Sequence, residues 1–253
     1  MALIRLTGHL ICASAAERQA VLSHLPAHIA ATVREPGCLF FDIAQTADPM
    51  VWSVSEGFAT QADFDAHQAR AAVSPWAAAT RAIKRVYEMG ATEPEIAPET
   101  DADIAPIDRL TRAAFGGPDE AELIAQLRTQ GDLALSLVAR LGRSVLGHVA
   151  FSPLAAPMKA WALAPVSVRT ACRRQGIGAA LIRAGLETAR AQGVEAVLVL
   201  GDPAYYGRFG FSAKAAQALR TPYDGPYLQA LSLSGTARLP AGDITYPPAF
   251  AAL

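Results

Sequence analysis

The chain has 253 residues, 52% of them hydrophobic and 18% charged, and its 22 basic and 23 acidic side chains leave a formal charge of −1 at pH 7. This length can fill one large core or two modest ones, while scattered basic residues at near-neutral charge lack the footprint of a nucleic-acid binder. No apolar run reaches the roughly 18 residues of a membrane span, and Cys12, Cys38 and Cys172 are too separated for a disulfide framework or a structural zinc site. An α+β protein of the cytoplasm is expected, without nucleic-acid or membrane partners.

Residues 2–12 read as a strand, which explains this apolar run at least as well as a signal peptide does. Ser14 with Glu17 is a capping-box signature, and Leu22, Leu25, Ile29 and Val33 then recur at helical spacing, with Pro26 expected to kink or break the helix. Glu35-Pro36-Gly37 ends it. Residues 39–44 and 51–58 read as strands joined by a turn at Asp48-Pro49, Thr60 with Asp63 caps a second helix to about residue 72, and residues 81–88 form a last strand. This βαββαβ order is the ferredoxin-like split arrangement. His24 and His28 have the helical spacing of a metal pair, but no third ligand follows; they read as solvated, and no metal site is expected. His67 and Trp76 read as packing residues near that domain's cleft, and Cys38 as a small buried residue.

The run Arg34-Glu35-Pro36-Gly37-Cys38, the strand-closing Glu56 and the helical pair Phe64 and His67 resemble the antibiotic biosynthesis monooxygenase (ABM) domains. The resemblance covers residues 1–90 and implies a ferredoxin-like α/β barrel that dimerises through its sheet. It implies either a dimerisation or ligand-binding module or, alternatively, a cofactor-independent quinol-type monooxygenase. Haem-degrading members carry an Asn on the first strand and a Trp before the helical His; here Thr7 stands on that strand and Trp76 follows His67, which argues against haem degradation.

Residues 89–103 are rich in Gly, Ala, Thr, Glu and Pro and mark the boundary between domains 1–90 and 91–253, with residues 95–98 readable as the first strand of the second. Asp101 is placed to cap a helix bearing Ile104, Ile107, Leu110 and Ala114, and Pro118 to open another with Leu123, Ile124 and Leu127. Residues 133–139 and 145–152 form a hairpin. The strand 161–168 contains Pro165, which has no N–H for a ladder, so it must bulge or splay from a neighbour and open a slot. The turn Arg173-Arg174-Gln175-Gly176-Ile177-Gly178 then leads into a helix from about residue 176 to 192, with N–H groups at its start suited to a phosphate. Residues 194–200 form a buried strand, Asp202-Pro203 start a short helix carrying Tyr205 and Tyr206, Phe209-Gly210-Phe211 return to strand, and a further strand lies near residues 228–233.

The spacing Arg173-x-x-Gly176-x-Gly178, the preceding Val166-Ser167-Val168 and the later Gly201-Asp202-Pro203-Ala204-Tyr205-Tyr206-x-x-Phe209-Gly210-Phe211 resemble the GNAT superfamily of acyl-CoA-dependent N-acyltransferases, over about residue 93 to the end. The resemblance implies a mixed-sheet GNAT domain with acetyl-CoA as co-substrate and a small-molecule or peptide amine as acceptor. It implies binding by Val166, Ser167, Val168, Arg173, Arg174, Gln175, Gly176, Ile177, Gly178 and Ala179: the valine backbones beside the pantetheine arm, the N–H groups of residues 174–179 on the pyrophosphate and the arginines adding charge. Tyr206 matches the tyrosine that protonates the departing thiolate. For the base, His148, Asp119 and Glu120 are the candidates, with water-relayed proton loss as another route.

Overall fold

The computed structural model describes residues 3–223, 225–235 and 238–252. The chain divides into two compact units, the first of Met1–Pro94 with Leu141–Ser144 and the second of Glu95–Arg140 with Val145–Leu253. The first contains β1 (Leu3–Ile11), α1 (Ala15–Thr32), β2 (Cys38–Gln45), β3 (Val51–Phe58), α2 (Gln61–Ala72), α3 (Pro75–Thr80) and β4 (Lys84–Thr92). Its sheet is antiparallel in the order β2-β3-β1-β4, which is the ferredoxin-like topology. Residue 2, where the first strand is expected to begin, lies outside the described residues.

Local signals set the helix starts in this unit. The Ser14 hydroxyl accepts the Glu17 N–H while the Glu17 carboxylate accepts the Ala13 N–H, and Thr60 does the same work for Asp63 at α2. α1 runs unbroken through Pro26, which sits on its exposed side. Its buried face is Val21, Leu25, His28 and Thr32, whereas Leu22 and Val33 are 38% and 53% exposed. The apolar periodicity therefore misplaced the face by a fraction of a turn, because two polar residues pack inward. Ser74 caps and Pro75 opens an additional short helix, α3, so the last strand starts at Lys84 and not at residue 81.

The second unit contains β5 (Glu95–Pro98), α4 (Ile104–Phe115), α5 (Asp119–Gln130), β6 (Leu135–Leu141), β7 (Ser144–Leu154), β8 (Ala160–Val168), α6 (Ile177–Ala191) and β9 (Ala196–Leu200). The one-turn helices α7 (Pro203–Tyr206) and α8 (Ala213–Ala216), the short strands β10 (Leu219–Arg220) and β12 (Gly242–Asp243), and β11 (Leu228–Ser232) complete it. Six strands form one sheet in the order β11-β9-β8-β7-β6-β5, in which β8 and β9 are parallel and connected through α6. Ser167 meets Thr111 of α4 while the next residue, Val168, meets the start of α6, so the two helices cover opposite faces of the sheet. Thr100, not Asp101, caps the entry to α4, through reciprocal bonds with Asp103. Residues 209–211 do not form the expected strand: a 3₁₀ turn at Gly207–Phe209 leads to an isolated bridge between Ser212 and Ala230. Among the described residues no helix is long and apolar enough to cross a membrane.

Candidate active site

The site of the second unit begins with a failure of pairing. β8 and β9 are hydrogen-bonded from Ala160 with Ala196 to Ala162 with Leu198 and then part. On the other side of β8 the ladder with β7 shifts register, from Phe151 opposite Leu163 to Val149 opposite Val166, so Ala164 and Pro165 together face one residue of β7. Both consequences follow from a proline that has no N–H to donate. Between the parted strands lies a cleft of about 460 Å³, walled by residues 163–166 and 198–200 and by Phe115, Glu120, Tyr206, Tyr223, Tyr246 and Phe250. The cleft edge of β8 beyond Ala162 thus carries backbone groups that no strand pairs.

The end of β8 runs into a 3₁₀ turn at Thr170–Cys172 and then into α6 through two left-handed residues, Arg174 (φ 61°) and Gly176 (φ 82°). Glycine tolerates that backbone; at Arg174 it is the less common choice. The Gly176 carbonyl accepts the Ala180 N–H at 2.9 Å, so the N–H groups of Ile177, Gly178 and Ala179 have no intrahelical acceptor and point out of the helix start. Ile177 and Ala179 turn their side chains into the core. Gly178 faces the rim: a Cβ there would lie 3.1 Å from the Tyr205 hydroxyl and 3.4 Å from a Val168 methyl.

The remaining residues of the motif differ in how far their side chains are engaged inside the protein. Val166 and Val168 are half-buried. Ser167 is buried, its hydroxyl 3.3 Å from that of Thr111, so only its backbone is left for a ligand. The Arg173 guanidinium donates to the Ala114 carbonyl at the end of α4 (2.8 Å) and is spent on bracing that helix. Gln175 donates to the Ala171 carbonyl. The exposed Arg174 has no side-chain partner among the described residues and is the motif's available cation.

Tyr206 enters the cleft because Asp202 caps α7, accepting the Ala204 N–H at 2.9 Å, and Pro203 fixes its first residue. Its ring lies so close over Gly201 that a Cβ there would be 2.3 Å from a ring carbon. Tyr205 and Tyr206 meet edge to face at 5.0 Å, one toward α6 and one toward the cleft. Burial, with Tyr205 as a lesser cause, pushes the Tyr206 phenol up to about 12, so it stays protonated at neutral pH.

The three base candidates are not brought together. His148 is fully buried, 2.8 Å from the Ser136 hydroxyl, and does not line the cleft, and burial pushes it down to about 4. Asp119 does not line the cleft. Glu120 does, and its carboxylate has no hydrogen-bond or ion-pair partner among the described residues.

The first unit holds a second polar cluster, in which His28 is the residue that sequence patterning placed wrongly. His28, expected in solvent, is 6% exposed, with its ring stacked on Trp76 at 4.9 Å. Burial pushes it down to about 4. His67, 3% exposed, bonds Glu35 through Nδ1 at 2.9 Å, and Arg70 pairs with the same carboxylate. Glu56 is buried beside them, one oxygen without a hydrogen-bond partner and 4.0 Å from His67 Nε2, and desolvation together with Glu35 pushes it up to about 7. Among the described residues no group of three or more His, Cys, Asp and Glu side chains is arranged to hold a metal ion.

Residues 104–211 match the Acetyltransferase (GNAT) family and residues 11–79 match Antibiotic biosynthesis monooxygenase. The chain is 39% identical over 131 residues to the N-acetyltransferase YhbS of Escherichia coli, which spans 50% of this chain and 78% of YhbS. The crystal structure of YhbS in complex with CoA covers 63% of this chain and 92% of its own, with a TM-score of 0.58 and 34% identity. A GNAT acetyltransferase of Brucella melitensis in complex with acetyl-CoA covers 62% and 97%, with a TM-score of 0.54 and 38% identity.

Proposed function

Given that the chain belongs to the GNAT family and is an N-acetyltransferase, we propose that its second unit transfers the acetyl group of acetyl-CoA directly to an amine held in the cleft beside β8. The observation that carries this reading is the alignment of an unpaired strand edge with three outward N–H groups at the start of α6. These residues fit a CoA thioester. The edge of Val166 and Val168 would hold the pantetheine amides, the N–H groups of residues 174–179 and the helix dipole the pyrophosphate, and Arg174 would add charge. Bound there, acetyl-CoA supplies an activated acyl group.

Transfer forms a bond from the amine nitrogen to the acetyl carbon and breaks the carbon–sulfur bond. The amine gives up one proton and the thiolate gains one, so no net acid or base is consumed. A phenol near 12 is a weaker acid than a thiol near about 8.5. Tyr206 therefore acts as a fixed hydrogen-bond donor that stabilises the charge developing on sulfur, and the proton set free by the amine completes the thiol. Replacing Tyr206 by Phe is expected to lower kcat by about 100-fold with acetyl-CoA affinity nearly unchanged, measured by thiol release and calorimetry. Equal losses in both would make Tyr206 a packing residue.

The first unit is read as a dimerisation or ligand-binding module acting with the transferase in the cytoplasm. The rival reading is cofactor-independent quinol oxygenation, and the buried His28, Glu56 and His67 cluster is the observation in its favour. Oxygen uptake by the intact protein with a panel of hydroquinones separates the two: the module reading expects none.

A further inference from the structure

We infer that the acceptor is a monoamine carried on an aromatic or similarly flat apolar body, an arylalkylamine, with its ammonium group received by Glu120; this rests on the acetyltransferase reading of the same cleft. Among the described residues lining the cleft, Glu120 contributes the one ionisable acid or base other than tyrosine, and no described residue pairs with its carboxylate. An amine would therefore arrive as a cation with a single counter-charge waiting for it. Among the described residues no lysine, arginine or histidine lines the same walls, so an acceptor bearing a carboxylate or phosphate would bury a charge without a partner.

The wall that faces the rest of the acceptor is aromatic. Tyr223 and Tyr246 meet edge to face at 5.0 Å and 89°, and Phe250 packs on Tyr246 at 5.2 Å. Both tyrosine hydroxyls are already engaged, that of Tyr223 with the Phe250 carbonyl at 3.0 Å and that of Tyr246 with Thr221. The wall thus offers ring surface and few free polar groups. Such a surface favours another ring packed against it and offers nothing to the hydroxyls of an aminosugar, and among the described lining residues no second carboxylate meets the second ammonium of a diamine. Glu120 also takes one proton from the ammonium before attack and passes it to solvent, and the proton lost by the neutral nitrogen on forming the amide completes the thiol.

The test is the rate of acetyl-CoA-dependent thiol release by the intact protein with phenethylamine, putrescine, spermidine, glucosamine and glutamate as probes. Phenethylamine is expected to exceed each of the others by roughly tenfold or more in kcat/KM. Glu120→Gln should raise its KM by a similar factor while acetyl-CoA affinity, read separately by calorimetry, stays unchanged. A preference for a polyamine, aminosugar or amino acid overturns the inference, as does a Glu120→Gln protein with unaltered phenethylamine KM. If acetyl-CoA binds but phenethylamine is no better than the rest, the substrate class falls and the transferase reading stands. If acetyl-CoA does not bind, the transferase reading itself falls.

Discussion

Two residues show how far single side chains can be read from a sequence. Tyr206 sits in a one-turn helix whose start is written in Asp202-Pro203, so its position along the chain is legible; that its ring covers Gly201 and leaves Tyr205 to α6 is decided by packing. His28 was not legible, since nothing near it in sequence announces that Trp76 stacks on it. Glu56 is a similar case, and its burial has a pH signature. Its folded pKa, raised from 4.5 to about 7, means its contribution to stability is present below 4.5 and lost as pH rises through 7. His28, lowered from 6.5 to about 4, works oppositely: its contribution is present above 6.5 and lost as pH falls through 4. Glu56→Gln, which removes the charge and keeps the size, should therefore raise the unfolding temperature at pH 8 and have little effect at pH 5. An equal shift at both values would mean that Glu56 ionisation carries no such cost.

At the scale of elements, strand and helix order was legible because caps, turns and apolar runs are local. The slot beside Pro165 was legible too, since a missing N–H must interrupt a ladder wherever the strand lies. What was not legible depends on partners distant in sequence: the inward face of α1 and the bracing of α4 by Arg173. For α3 the local signature is present in Ser74-Pro75, a cap followed by a first-turn proline. The start of α6 offers an element-level test. Gly178→Val keeps the helix but sets a branched side chain against the Tyr205 hydroxyl and Val168, on the rim where the N–H groups emerge. Acetyl-CoA affinity should fall roughly tenfold or more with a thermal midpoint close to that of the parent protein. Unchanged affinity would remove the helix start from the binding site.

At the scale of the whole molecule, the protein joins a ferredoxin-like unit to a GNAT acetyltransferase unit, each with its own sheet and core. If the first unit is a dimerisation module, sedimentation velocity of the full chain should give a dimer at micromolar concentration, and a monomer would count against that proposal. The central claim, that the parted strands and the start of α6 form a CoA-thioester site, is tested most directly by calorimetric titration of the intact protein with acetyl-CoA. Saturable binding at one site per chain, in the micromolar to millimolar range usual for co-substrates, is the result expected. No measurable heat at millimolar ligand would contradict it.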